Sequence, residues 1–298
     1  MADISRNGWN LHYETVGPAG GAPVVLLSGS GEQIGSVEFP DEQCAQLAEA
    51  GMQVVRLDNR DNGLSVPAED PGPPDWKAIF ATPAGASPPV PYTQGDMADD
   101  VVAVLDDLDV ERAVVVGASM GADLARWMAV RHPDRVHGLM VVMGVAGAVA
   151  GEDGPVLPDD VIDRLLFLMT PLDREEAVSS LVDCWRWLWG PVYPFDEAWV
   201  RRRVEASYDR AYRPHGVTRN MAAATVPGLW DAQTTISCPT VVMHGGLDPA
   251  SPAEHGRVIA GRIKGAELWE VPDMGHTMHS ELWPEMTRRI AQLAEPSA

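Results

Sequence analysis

Short β-branched and aliphatic runs alternate along this chain with segments whose apolar positions recur every three or four residues. The runs at 11–16, 24–27, 53–57, 113–116, 139–143, 240–244 and 267–271 read as strands. Residues 113–116, Ala-Val-Val-Val, suit a strand buried on both faces. Helical spacing marks 42–50, 97–107, 120–131, 255–263 and 281–294; in 97–107 it is carried by Met97, Val101, Val104 and Leu105, and Leu108 continues it. Strand–helix alternation of this kind predicts a mostly parallel sheet covered on both faces. Two stretches break it. Residues 67–91 hold eight prolines and read as a long loop or lid, too proline-rich for a helix. Residues 146–231 show helical patterns at 159–169, 174–187 and 196–208 and no clear strand. This predicts a helical cap, 146–231, set into an α/β core formed by 1–145 and 232–298.

Composition narrows the function. The 298 residues carry 22 Lys and Arg against 43 Asp and Glu, a net charge of −21. Such a surface repels phosphate backbones and anionic membranes, which excludes a nucleic-acid-binding role. No stretch approaches the ~20 apolar residues of a membrane span, and the N-terminus lacks an apolar signal core. The three cysteines, Cys44, Cys184 and Cys238, are an odd number and widely spaced, which argues against a disulfide framework or a metal cluster and for a cytoplasmic protein.

The sharpest chemical signal is Gly117-Ala118-Ser119-Met120-Gly121, a G-x-S-x-G placed after the valine strand and at the start of a helix. The two glycines let strand and helix pass closely, and the bend holds Ser119 Oγ clear at a helix N-terminus. A serine hydroxyl needs a base to become a nucleophile. His276 follows the strand end and turn Val271-Pro272-Asp273-Met274-Gly275, and His279 is the alternative three residues on. The acid is expected after an earlier strand. Gly245-Gly246-Leu247-Asp248-Pro249 supplies Asp248, whose ordinary alternative role is to cap the following helix. The other strand end, Gly144-Val145-Ala146-Gly147, has no carboxylate. Two backbone amides should receive an oxyanion: that of Met120, and that of Ser30 in the loop Ser28-Gly29-Ser30-Gly31, with Gly29 or Gly31 as the alternatives in register.

Five of the ten tryptophans lie in or just before the end of the predicted cap, and Trp185, Trp187 and Trp189 recur every second residue. On a helix they fan around much of its surface. They are candidate substrate-binding residues for a large flat ligand; the alternative is that they only fix the cap to the core. Asp123, one turn into the serine's helix, is either a brace near the site or solvent-facing.

Together these motifs resemble the α/β-hydrolase superfamily over nearly the whole chain. The resemblance implies an α/β-hydrolase fold: a mostly parallel, eight-stranded sheet flanked by helices, with the cap inserted after strand 6. The segment Asp58-Asn59-Arg60-Asp61-Asn62-Gly63-Leu64-Ser65 is similar to that family's D-x-R-x-x-G-x-S turn, which braces the oxyanion loop, so Arg60 and Asp61 read as structural. Phe39-Pro40-Asp41-Glu42, Arg60-Asp61-Asn62-Gly63, Gly117 to Ala122, Asp248-Pro249 and Pro272 to His276 also resemble the aclacinomycin methylesterase group of polyketide enzymes. That resemblance implies Ser119 as nucleophile, Asp248 as acid, His276 as base, and hydrolysis of an ester or lactone of a bulky aromatic compound without metal or organic cofactor. The partner expected is a small molecule; a homo-oligomer is compatible with the sequence. The same residues could serve a haloperoxidase-like perhydrolase, a C–C bond hydrolase, or a ligand-binding receptor of this fold.

Overall fold

The computed structural model describes residues 1–147 and 154–295. The chain opens with β1 (Ala2–Arg6), β2 (Trp9–Val16), β3 (Ala22–Leu27), α1 (Asp41–Glu49), β4 (Met52–Leu57) and the two-residue β5 (Val66–Pro67). It continues through α2 (Trp76–Phe80), α3 (Gln94–Asp107), β6 (Ala113–Ala118), α4 (Met120–Arg131) and β7 (Val136–Val142). Next come α5 (Asp159–Leu165), α6 (Arg174–Trp189), α7 (Glu197–Ala211), α8 (Pro214–Ala223) and α9 (Leu229–Ala232). The chain closes with β8 (Thr240–Gly245), α10 (Ala253–Arg262), β9 (Glu267–Val271) and α11 (Trp283–Ala294).

The strands form one sheet in the order β1-β2-β4-β3-β6-β7-β8-β9, with β5 paired to β2. From β4 to β9 every neighbouring pair is parallel, and β1 and β2 add an antiparallel edge. The sheet is thus the mostly parallel one expected, with eight strands along its path. Its central strands are apolar on both faces: Val115 packs with Leu27, Leu139 and Val242 in one layer, and Val114 and Val116 pack with Leu26, Met140 and Met243 in the other. Burying both faces is what the unbroken valine run encodes.

The five helices α5 to α9 lie between β7 and β8. Their apolar cluster, built on Val178, Val182, Val200 and Val204, is separate from the two sheet layers. The expected start of the insertion is 146, and 148–153 lie outside the described residues. β1, α2, β5, α8 and α9 depart from the sequence reading, and three of them show why. β1 pairs with β2 although most of its side chains are exposed, so its backbone bonds carry no apolar alternation to announce them. α8 buries Arg219 and Asn220 as well as Val217, and paired polar residues hide its period. The proline-rich loop does contain a helix: α2 fits between Pro74 and Pro83, with Asp75 accepting the Ala78 N–H as its cap. Among the described residues no helix is long and apolar enough to cross a membrane.

Candidate active site

Ser119 sits between β6 and α4 at φ 54°, ψ −121°, a left-handed conformation that is strained for a residue with a Cβ. Close backbone approach enforces it. A Cβ on Gly117 would lie 2.0 Å from the Gly121 carbonyl oxygen, and one on Gly121 would lie 1.9 Å from that of Leu27. Only glycine fits at either position. The Ser119 N–H donates to Val142 O at 3.0 Å, which pins the bend to the end of β7.

The loop after β9 brings His276 to this bend. Its Nε2 lies 3.0 Å from Ser119 Oγ, and its Nδ1 lies 2.7 Å from Asp248 Oδ2. With the proton on Nδ1 donating to Asp248, Nε2 is free to accept the Ser119 hydroxyl. The Asp248 side chain has no exposed surface. Its other oxygen, Oδ1, accepts the N–H groups of Ala250 at 2.9 Å and Ser251 at 2.7 Å. The carboxylate therefore does two jobs at once. It orders the turn that precedes α10, without being that helix's cap residue, and it holds the imidazole.

Two other histidines near the site have other hydrogen-bond or ring partners, although His244 Nε2 also lies 3.7 Å from Asp248 Oδ2. His279 is 1 % exposed, stacked on Tyr193 with centroids 4.0 Å apart and set edge-on to Trp189 at 5.1 Å; burial pushes its pKa down to about 4. His244 is also held below the ordinary imidazole range by burial, and its Nε2–H donates to Ser251 O at 2.6 Å.

Beside Ser119 runs the loop after β3. The Ser30 hydroxyl lies 3.4 Å from the Met120 sulfur, so the two candidate oxyanion donors belong to adjoining residues. Gly29 is not an alternative donor: its N–H is taken by the Glu38 carboxyl oxygen Oε2 at 2.6 Å. The turn after β4 supports this loop, with Asn59 Nδ2 donating to Ser28 O at 2.7 Å and Asp58 Oδ1 accepting Ile34 N–H at 2.8 Å. Arg60 and Asp61 face away from Ser119. Arg60 forms a two-pronged pair with Asp100 and lies over the rings of Trp9 and Tyr92, and Asp61 pairs with Arg219 of α8 at 2.6 and 2.8 Å. Asp123 braces Arg126, a cation buried to 1 % that also donates to Gln233 Oε1 and Val145 O.

Two cavities open between this loop and the helical insertion: a larger one, about 370 Å³, lined by Ile34, Gly35, Trp199 and Arg203, and a smaller one, about 50 Å³, deeper along the loop. In the smaller cavity Gly31, Glu32 and Val37 line one wall; Phe167, Trp185 and Tyr208 line the other. Of the three candidate tryptophans only Trp185 reaches it. Trp189 lies one turn further along the same face of α6, where its indole N–H donates to Pro194 O and its rings meet Phe195 and His279. Trp187, about 200° around the helix from Trp185, stacks against Arg164. Phe167 and Tyr208 were not legible as cavity residues, because nothing in their local pattern separates a cavity wall from packing inside the insertion.

A serine bent out at a strand–helix turn, backed by an imidazole and a carboxylate, on a parallel sheet with helices inserted between two late strands, defines a class of protein. The chain belongs to the α/β-hydrolase fold family, whose model matches residues 22–165. It is 30% identical over 291 residues to the rhodomycin D methylesterase DauP of a Streptomyces species, covering 92% of this chain and 91% of that protein. It is 36% identical over 273 residues to a putative carbamate hydrolase, RutD, of Variovorax paradoxus, covering 89% of each. Among solved structures, a hydrolase from Pseudomonas aeruginosa matches with a TM-score of 0.72 at 25% identity over 99% of this chain and 98% of that one. An enol-lactonase from Burkholderia xenovorans shares the fold with a TM-score of 0.73 at 24% identity, over 98% and 99% of the two chains.

Proposed function

We propose that this protein is a serine hydrolase that cleaves a carboxylic ester or lactone of a bulky, aromatic or polyketide-type compound through an acyl-enzyme. The observation that carries the reading is the unbroken chain from Ser119 Oγ to His276 Nε2 at 3.0 Å and from His276 Nδ1 to Asp248 at 2.7 Å. His276 takes the Ser119 proton as Oγ attacks the carbonyl carbon. The amides of Ser30 and Met120 receive the oxyanion, each such donor being worth ~3 kcal/mol in the transition state. Collapse expels the alcohol, which leaves with the proton from His276. Water, deprotonated by the same nitrogen, then frees the acid and regenerates Ser119.

The substrate class rests on two supports. A relative aligned over 92% of this chain is named as a methylesterase of rhodomycin D. The insertion also presents Phe167, Trp185 and Tyr208 to the cavity. That cavity, at about 50 Å³, has room for only a few atoms, and neither Ser119 nor His276 is among its lining residues. A larger group must displace the helices over it, which fits a reading of 146–231 as a cap. The partner is then a small molecule, with no nucleic acid or membrane involved. A cytoplasmic location agrees with Cys44, Cys184 and Cys238 all being free thiols.

The test is covalent. An alkyl fluorophosphonate is expected to add once, at Ser119, as read by peptide mass spectrometry. Ser119→Ala is expected to abolish both labelling and hydrolysis of aromatic methyl esters. Labelling at another residue, or full hydrolysis by Ser119→Ala, rejects the mechanism. Bromination of monochlorodimedone with peroxide and acetate, in the absence of ester turnover, would instead assign the site to perhydrolysis.

A further inference from the structure

Two carboxyl groups lie behind the oxyanion loop, and the reaction as derived uses neither. Glu38 is 5 % exposed and accepts the Gly29 N–H at 2.6 Å. Its carboxyl also reaches toward the nucleophile. The point where a Gly29 Cβ would stand is 2.8 Å from Glu38 Oε1 and 3.0 Å from Ser119 Cβ, so glycine is the residue that lets the acid, the loop and the serine meet. Glu32 shapes the same structure from below, its Oε2 accepting the N–H groups of Val37 and Glu38 at 3.2 and 3.3 Å. In a flexible Gly-Ser-Gly loop, two successive amides can point either way. Capturing the Gly29 N–H fixes the first peptide plane, and the crowding of Gly29 between Glu38 and Ser119 then limits the rotations that set the Ser30 N–H.

We propose that Glu38 is a positioning residue for the oxyanion hole: by holding the Gly29 N–H it turns the Ser30 N–H toward Ser119, and it does so as a neutral carboxylic acid. This rests on the assignment of Ser119 as nucleophile. The neutral form follows from the surroundings. Burial first, and then the charge of Glu32, push the Glu38 carboxyl well above the usual range, and burial raises Glu32 as well. A carboxylate this near the reacting oxygen would oppose the negative charge that the amides stabilise. A protonated acid still offers its carbonyl oxygen to Gly29 without that penalty.

The proposal separates two substitutions at one site. Glu38→Gln keeps an uncharged carbonyl acceptor of the same reach, and kcat is expected to stay within about threefold of wild type. Glu38→Leu removes the acceptor. It is expected to lower kcat for p-nitrophenyl acetate ~10- to 100-fold, the order for a mis-aimed oxyanion donor, with KM little changed. Its affinity for a phenyl trifluoromethyl ketone, whose adduct carries an oxyanion, should fall by the same factor. A folded Glu38→Leu protein with wild-type kcat overturns the proposal, and so does a Glu38→Gln protein as slow as Glu38→Leu. Fluorophosphonate labelling of wild-type Ser119 is scored separately, so an unchanged kcat on a labelled enzyme counts against Glu38 alone. If Glu38→Leu does not fold, wild-type NMR decides: the Gly29 amide proton is expected downfield and protected from exchange. A Gly29 amide exchanging like an open loop overturns the proposal.

Discussion

The two walls of the site are held in place by different means. On the sheet side, backbone fixes the geometry: Gly117 and Gly121 allow contacts that no Cβ could survive, and Asp248 is bound by two turn amides before it ever meets His276. On the insertion side, long side chains make the attachment. Arg203 donates to Gly35 O and pairs with Glu42, Arg210 pairs with Asp58, Arg213 donates to Gly63 O, and Arg219 pairs with Asp61. Reactive atoms are thus set by main-chain sterics, while the insertion is held for the most part by a row of guanidinium contacts. Close backbone packing leaves a mark in the sequence, since it demands glycine at fixed spacing. A pair such as Arg219 and Asp61, 158 residues apart, leaves none.

Five substitutions press on this contrast. Asp248→Asn should be the most severe on the sheet side, lowering kcat ~10⁴-fold by favouring the wrong imidazole tautomer, while the unfolding midpoint changes little; ester assays and urea melts on the same preparation check it. Arg219→Met should do the reverse. It strands Asp61, 1 % exposed, without its cation, and a stability loss of ~3–5 kcal/mol is expected in urea unfolding. An unaltered midpoint would mean that the guanidinium row does not anchor the insertion.

The seam between the walls should respond to pH. His279 lies between Trp189 and Tyr193 with its pKa pushed down to about 4. The unfolded chain, with a value of ~6.5, binds this proton more readily, so the stabilising contribution is complete above about pH 6.5 and is lost as pH falls toward 4. His279→Phe should therefore flatten the acid side of the stability profile, by up to ~3 kcal/mol at the low end. A profile of the same slope in both proteins would place the acid sensitivity elsewhere. The smallest effects should distinguish the tryptophans. Trp185→Ala should raise KM about tenfold, equivalent to ~1.4 kcal/mol of lost contact, whereas Trp187→Ala should leave kcat/KM within about twofold.

How much of this could be read in advance follows the same division. The seven strand runs and the serine elbow are local patterns, and the residues brought to within 3.0 Å of His276 Nε2 and Nδ1 are the ones that chain order selects. The turn at 58–65 could be read as a brace, but the work is done by Asp58 and Asn59, while Arg60 and Asp61 serve α3 and α8. Glu38 gave no signal at all. A lone acid in a loop has no period and no spacing partner, and its role appears only once the chain has folded Gly29 against it. Among the tryptophans, spacing alone leaves open which one faces inward; the helical phase of α6 and the position of its neighbours decide that.

One short contact ties the two walls together. The His276 N–H donates to Leu188 O at 2.7 Å, and Gly275 lies so near the last turn of α6 that a Cβ there would stand 2.5 Å from the same oxygen. The proton acceptor is therefore fastened to the roof. The places of α6 and of the imidazole are thus set together, and a change in the packing of that helix is felt at the nitrogen facing Ser119.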